Sequence, residues 1–224
     1  MTTYRIGLYN RYVPFLVIII QSDKTMHDET RWTLDDVITL FDGVFAERYR
    51  TRLTRGGDEP LYQPASGDDG YHQVIFAHGF YASALHEISH WCIAGKQRRE
   101  LEDYGYWYLP DGRNAQQQQA FEAAEIAPQA LESLFCEACQ RPFHVSVDNL
   151  GGEAEADRES FANKVLSRAQ RYRDEGLPRR AAAFQMALKS YYQRGATLDQ
   201  ACSAGHLILK HSIVDHSVSS PSSC

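Results

Sequence analysis

His86 and His90 stand four residues apart, with Glu87 between them, in the run FYASALHEISHWCIAG over residues 80–95. Four residues are about one helical turn, so on a helix both imidazoles project from one face and can share a single metal ion. The pattern is H-E-x-x-H. Its neighbours Ala82, Ala84, Leu85, Ile88, Trp91 and Ile93 make most of the run apolar. Burying two histidines and a glutamate in such a helix is costly unless they bind something, which favours metal ligation over a chance occurrence on a solvated face.

A stable site needs a third protein ligand, with positions left open for reactants. The segment after Asn114 reads as a capped helix carrying Phe121, Glu122 and Glu125. If Phe121 faces the core, Glu125 follows one turn later on the same face. Glu122 is ~100° away around the helix, which suits a surface or supporting role. Glu125 is therefore preferred to Glu122. His78, at a strand end just before the motif, is a further candidate ligand or hydrogen-bond donor to one. His144 reads as structural, and His72, His206, His211 and His216 are assigned no role.

Two histidines and one carboxylate suit two reaction classes. With zinc the set is hydrolytic, and Glu87 would be the general base toward a water on the metal. With Fe(II) it is the facial triad of oxygen-activating enzymes, which leaves adjacent positions for O₂ and substrate. Spacing alone does not separate them. A purely structural zinc site is the weakest alternative, because such sites are usually closed by four protein ligands. Cys136 and Cys139 form a lone C-x-x-C with no second pair at suitable spacing, and read as two small helix residues.

The elements that must position these residues follow from periodicity. Thr33 can cap a helix in which Leu34, Val37, Ile38, Leu40, Phe41, Val44 and Phe45 recur at helical spacing, with Asp35 and Asp36 in its first turn. Residues 56–58 and 60–70 read as loops, and residues 73–77, QVIFA, as a buried strand leading into the motif helix, which Gly95 ends. Residues 104–109, YGYWYL, have strand propensity, and Pro110-Asp111-Gly112 a turn. Pro128 is expected to start a new helix, because proline fits a first helical turn and not an interior. Residues 143–147, FHVSV, alternate like a half-buried strand, and residues 158–172 and 179–192 read as amphipathic helices.

The expected fold is α+β, a single domain with helices predominating around a small mixed sheet and the metal site on the H-E-x-x-H helix. Residues 1–30 read as an N-terminal extension, with Met26 as an alternative start, residues 31–200 as the metal-dependent domain, and residues 201–224 as a tail of disorder-like composition. The chain has 224 residues, enough for one well-cored domain plus tails. Its net charge of −6 argues against a duplex-binding surface. The apolar run at residues 13–20 is far short of the ~20 residues that span a bilayer. Five cysteines without framework-like spacing suggest a reducing, cytoplasmic setting.

Longer runs carry a more specific signal. GGDEPLYQPA, HEISHWCIAG, DYGYWYLPDGR, FEAAEIAPQALESLFC and PFHVSVDNL resemble the bacterial elongation factor P hydroxylase family, over about residues 34–192. The resemblance implies hydroxylation of the β-lysylated lysine of elongation factor P by an oxidoreductase of the non-haem iron monooxygenase kind. It further implies a 2-His-1-carboxylate centre carried by His86, His90 and Glu125, with Fe(II) as the metal and O₂ as co-substrate. Modified elongation factor P is then the protein partner, with no nucleic acid or membrane involved; oligomeric state stays open. The family is similar in fold to a metal-dependent ribonuclease family, so hydrolysis on the same ligands, peptidase-like or ribonuclease-like, is the alternative. A hydroxylase has no obvious need for Glu87 as a base. It would instead orient a ligand histidine or position the substrate amine. Tyr104, Tyr106, Trp107 and Tyr108, with Asp103 and Asp111, could line a channel for a cationic arm, although strand alternation would turn half of the aromatics inward. Arg98 and Arg99 could face an acidic partner, against the default of a solvated helix end.

Overall fold

A computed structural model describes residues 32–67, 70–102, 112–147 and 157–210. Six helices dominate it: α1 (Leu34–Tyr49), α2 (Tyr81–Ile93), α3 (Ala115–Ala138), α4 (Arg158–Glu175), α5 (Arg179–Arg194) and α6 (Leu198–Lys210). Three short strands, β1 (Thr51–Arg55), β2 (Leu61–Gln63) and β3 (His72–Phe76), form one mixed sheet in the order β1-β3-β2. β3 runs parallel to β1, with Leu53 opposite Val74, and antiparallel to β2, with Tyr62 opposite Val74.

α1 begins where the Thr33 side chain accepts the Asp36 N–H at 3.1 Å, and it buries Val37, Leu40, Phe41, Val44 and Phe45. The Asp42 carboxylate accepts the Leu53 N–H at 2.9 Å, tying this helix to the sheet. β3 then feeds α2 through a tight junction. His78 and Gly79 both adopt left-handed backbone, with φ of 55° and 63°. The His78 N–H donates to the Gly57 carbonyl at 2.8 Å, and the Ser83 hydroxyl accepts the Ala77 N–H at 3.1 Å.

α2 has two working faces. Ala84, Leu85, Ile88 and Trp91 are buried in the core, where the Trp91 ring lies 4.7 Å from Phe45 and 5.1 Å from Phe41. The other face meets α3. The helix ends at Ile93 with Ala94 as its cap, one residue before Gly95. Its last carbonyls are capped from α5: the Arg180 guanidinium donates to the Cys92 and Ala94 carbonyls and covers the Trp91 ring at 4.7 Å. A cation over a helix C-terminus satisfies both its dipole and its orphan acceptors.

Several expectations are corrected. Pro128 does not begin a helix: α3 runs unbroken through it, and Pro128 is buried inside. Such a proline costs about 3 kcal/mol of helix stability, and the apolar face of Ala130, Leu131, Leu134, Phe135 and Cys136 offsets it by burial. Residues 143–147 are not a strand among the described residues, although their burial alternates. β1 and the loop-bound β2 went unexpected. Residues 201–210, assigned to a tail, lie in α6, whose buried residues are Ala201, Cys202, Gly205 and Leu209. Gly205 is required there, since a Cβ would sit 2.9 Å from the Ala183 carbonyl oxygen and from Val44. Residues 1–31, 103–111 and 211–224, with the expected channel aromatics and the strand and turn at 104–111, lie outside the described residues. Among the described residues no helix is long and apolar enough to cross a membrane.

Removing the α5 clamp should loosen α2 from its C-terminal end. Arg180→Met keeps the side chain's length and deletes its charge-assisted bonds. It is expected to lower unfolding free energy by about 2 kcal/mol, read as a shifted urea midpoint at unchanged slope.

Candidate metal centre

His86 and His90 leave α2 on the same side and meet Glu125 from α3. Their Nε2 atoms are 3.1 Å apart. Glu125 Oε1 lies 3.2 Å from His90 Nε2, and Glu125 Oε2 lies 3.4 Å from His86 Nε2. Among the described residues these three form a group whose donor atoms could hold one ion. Each of these separations has the right size, the two from Glu125 being measured to its two different oxygens. Ligand atoms about 2.1 Å from a common ion, subtending roughly 90–109°, are about 3.0–3.4 Å apart. Glu125 is 2% exposed, so its carboxylate needs positive charge beside it.

α3 supplies more than one carboxylate. Gln118, Phe121, Glu125, Gln129 and Glu132 follow one another at intervals of three or four residues and are all buried. They form a single stripe that is polar except for Phe121. Glu132 Oε2 lies 2.9 Å from His86 Nδ1. A carboxylate on the far nitrogen of a ligand histidine fixes the tautomer, and leaves the Nε2 lone pair for the metal. Glu132 was not foreseen. Glu122 points elsewhere, 3.5 Å from Lys164 on α4 and 3.3 Å from the Gln118 amide.

Gln129 is also new. It is 1% exposed, and its amide makes a two-point bond to the backbone of Ser146: Nε2 donates to the carbonyl at 2.7 Å, and Oε1 accepts the N–H at 3.0 Å. The extended strip at residues 141–147 is held in this way by side chains. The Gln118 amide donates to the Val147 carbonyl, and Arg158 donates to the Val145 carbonyl.

A cleft of about 440 Å³ reaches His86 and Glu125 of this group, while His90 borders a smaller cavity on the other side. Asp58, Glu87, Glu125 and Glu132 line the cleft together with His78, His144 and Ser146, and no lysine or arginine does so among the described residues. Glu87 also borders the smaller cavity, on the side of Tyr62, Trp91, Arg98 and Arg99. His78 is half exposed at the rim, 3.8 Å from Asp58, and its ring is not among the three converging donors. His144 lines the cleft wall from an exposed position, where a purely structural role had been expected. Cys136 and Cys139 are buried free thiols away from this group; burial pushes Cys139 up to about 12.

The charges within the site are coupled. Burial alone would lower the basicity of His86. The hydrogen bond and charge of Glu132, helped by Glu125 and Glu87, overcome this and push it up to about 10. Burial raises the Glu87 carboxyl above its usual range, opposed by His86 and His90 and reinforced by Glu125 and Glu132.

In the metal-free protein His86 therefore holds a proton at neutral pH, and an ion at its Nε2 must displace one. Loading with Zn(II) or Co(II) should release about one proton per ion between roughly pH 6 and 8, with affinity rising about tenfold per pH unit. Titration calorimetry in two buffers of different ionisation enthalpy measures this; binding without proton release would contradict it. In the same assay Glu132→Gln is expected to weaken metal binding about 10–100-fold, and Glu122→Gln to leave it unchanged.

The chain is also similar to proteins of a known family. The model of a family described as elongation factor P hydroxylase matches residues 40–202, a stretch that contains all of α2 and α3. The elongation factor P lysine hydroxylase of Haemophilus influenzae is 47% identical over 159 residues, which cover 71% of this chain and 89% of that protein. A match of that extent and identity places this chain in the elongation factor P hydroxylase family.

Proposed function

We propose that this chain is the hydroxylase of the β-lysylated lysine of elongation factor P, an oxidoreductase of the non-haem iron type. The observation that carries the reading is the convergence of His86, His90 and Glu125, two of which line an acidic cleft, in a chain of this family. The H-E-x-x-H helix α2 supplies two ligands of the facial triad, and α3 supplies the third. A ferrous ion held there would supply the activation of O₂ for insertion of oxygen into a C–H bond.

The chain's own residues do the rest. Glu132 accepts the Nδ1–H of His86 and keeps the ring oriented. Cleft walls that carry four carboxylates and, among the described residues, no lysine or arginine favour a cationic arm over an anionic one. Glu125 and Glu132 are committed to the histidines. Glu87 forms no hydrogen bond among the described residues and borders the cleft, so its carboxylate can receive an ammonium group of the arm. It therefore positions substrate, and the ligand histidines depend on Glu132 instead.

The test is direct. Protein purified anaerobically, loaded with Fe(II) and then given O₂ and an added two-electron reductant should add the mass of one oxygen atom to β-lysylated elongation factor P, the second oxygen atom leaving as water. Zinc-dependent cleavage of a peptide or RNA, with no oxygen insertion under any metal, would instead establish the hydrolase alternative. Glu87→Gln should keep its metal and lose about tenfold or more in kcat/KM through a raised KM. Loss of the metal in that variant would make Glu87 a ligand.

A further inference from the structure

Gln129 touches two things that the site must coordinate. Its Nε2 donates to the Ser146 carbonyl at 2.7 Å and lies 3.4 Å from Glu125 Oε2. Its Oε1 accepts the Ser146 N–H at 3.0 Å. A primary amide has two N–H groups, one for each acceptor, and the Ser146 N–H fixes which end is oxygen. Ser146 and His144 line the cleft, and Glu125 belongs to the metal triangle. One side chain, 1% exposed, therefore bonds a ligand carboxylate and a substrate wall at once.

We infer that Gln129 is a positioning residue that couples the Glu125 carboxylate to the strip at residues 141–147, so that metal ligation and the shape of the cleft wall are set together. The two N–H contacts are unequal. The strip holds the short one, and the contact to Glu125 is long enough to tighten once that carboxylate is fixed on an ion. Tightening it draws on the same amide that clamps Ser146. Such linkage is reciprocal: an ion that orders Glu125 also orders the wall, and an arm that presses on the wall shifts Glu125. The partner strip has no strand ladder among the described residues, so side-chain clamps from Gln129, Gln118 and Arg158 decide its position.

The inference rests on the metal-centre reading but needs no substrate or turnover to test. Hydrogen exchange at the Ser146 amide should slow about tenfold when wild-type protein is loaded with Co(II). In Gln129→Met, which keeps the side chain's length without its polar atoms, Co(II) affinity should fall about tenfold and loading should leave Ser146 exchange unchanged. Gln129→Glu, which keeps the acceptor for the Ser146 N–H but not the donor, should retain protection of Ser146 without its response to metal. Co(II) binding with no change at Ser146 in the wild type overturns the coupling and leaves the metal centre standing. Failure of the wild type to bind Co(II) overturns both. The wild-type measurement decides the matter even if a variant does not fold.

Discussion

Glu125 is almost completely enclosed, and a carboxylate in that position must have positive charge within reach or give up its ionisation. Much of the site follows from this requirement. Both imidazoles of α2 turn toward it, and Glu132 and Glu87 bring the number of carboxylates around them to three. Even with both histidines protonated, three ionised carboxylates would leave an excess of negative charge, and Glu125 and Glu132 add to the burial that raises the Glu87 carboxyl. Against the effect of burial, the hydrogen bond and charge of Glu132, with Glu125 and Glu87, raise the basicity of His86. A divalent cation resolves the imbalance better than protons can, because one ion can take both ring nitrogens and the carboxylate together. Such a cluster would be stabilised by that ion, which is the physical sense in which it is a candidate metal centre.

Holding such a cluster requires two helices that cannot slide. α2 is fixed at its start by the left-handed pair His78–Gly79 and the Ala77–Ser83 bond, and at its end by Arg180 from α5. Its apolar face is packed around Trp91 against α1. α3 is set by its stripe, which meets α2 through Glu125 and Glu132 and the 141–147 strip through Gln118 and Gln129. The left-handed backbone at His78 costs roughly 1–2 kcal/mol for a residue with a Cβ. It is tolerated where the turn from β3 into α2 must be abrupt for the histidines to face α3.

How much of this was legible in the sequence depended on Pro128. The phase from Phe121 to Glu125 holds within one short helical stretch, and Glu125 could be picked over Glu122 from it. Gln129 and Glu132 lie on the same stripe, one and two turns further on. Treating Pro128 as a helix start resets the phase and hides both. Local propensity lost to burial there, since the helix carries Ala130, Leu131, Leu134 and Phe135 into the core immediately beyond the proline. α6 was hidden for another reason. Its inward positions, Ala201, Cys202, Gly205 and Leu209, form one buried face, but the first three are small where α1 and α5 approach closely, and the disorder-like composition of the residues that follow masks them. The alternation at residues 143–147 was real as burial but wrong as a strand. Alternation shows that one side of an extended strip is covered, whereas the ladder partner that defines a strand lies elsewhere in the chain.

The meaning of the motif itself turns on its middle residue. On a helix Glu87 is about 100° round from His86, so it cannot share the ligand face with both histidines. In a hydrolase that offset aims it at a water on the metal. Here it borders two cavities and bonds to neither histidine among the described residues, while Glu132 from the neighbouring helix takes the role of orienting His86. A carboxylate that bonds neither histidine, raised in basicity by burial and bordering a cleft without lysine or arginine among the described residues, would suit a substrate that brings its own positive charge. An ammonium group entering beside it would favour the ionised carboxylate, so arrival of the substrate completes the charge balance that the protein alone leaves open.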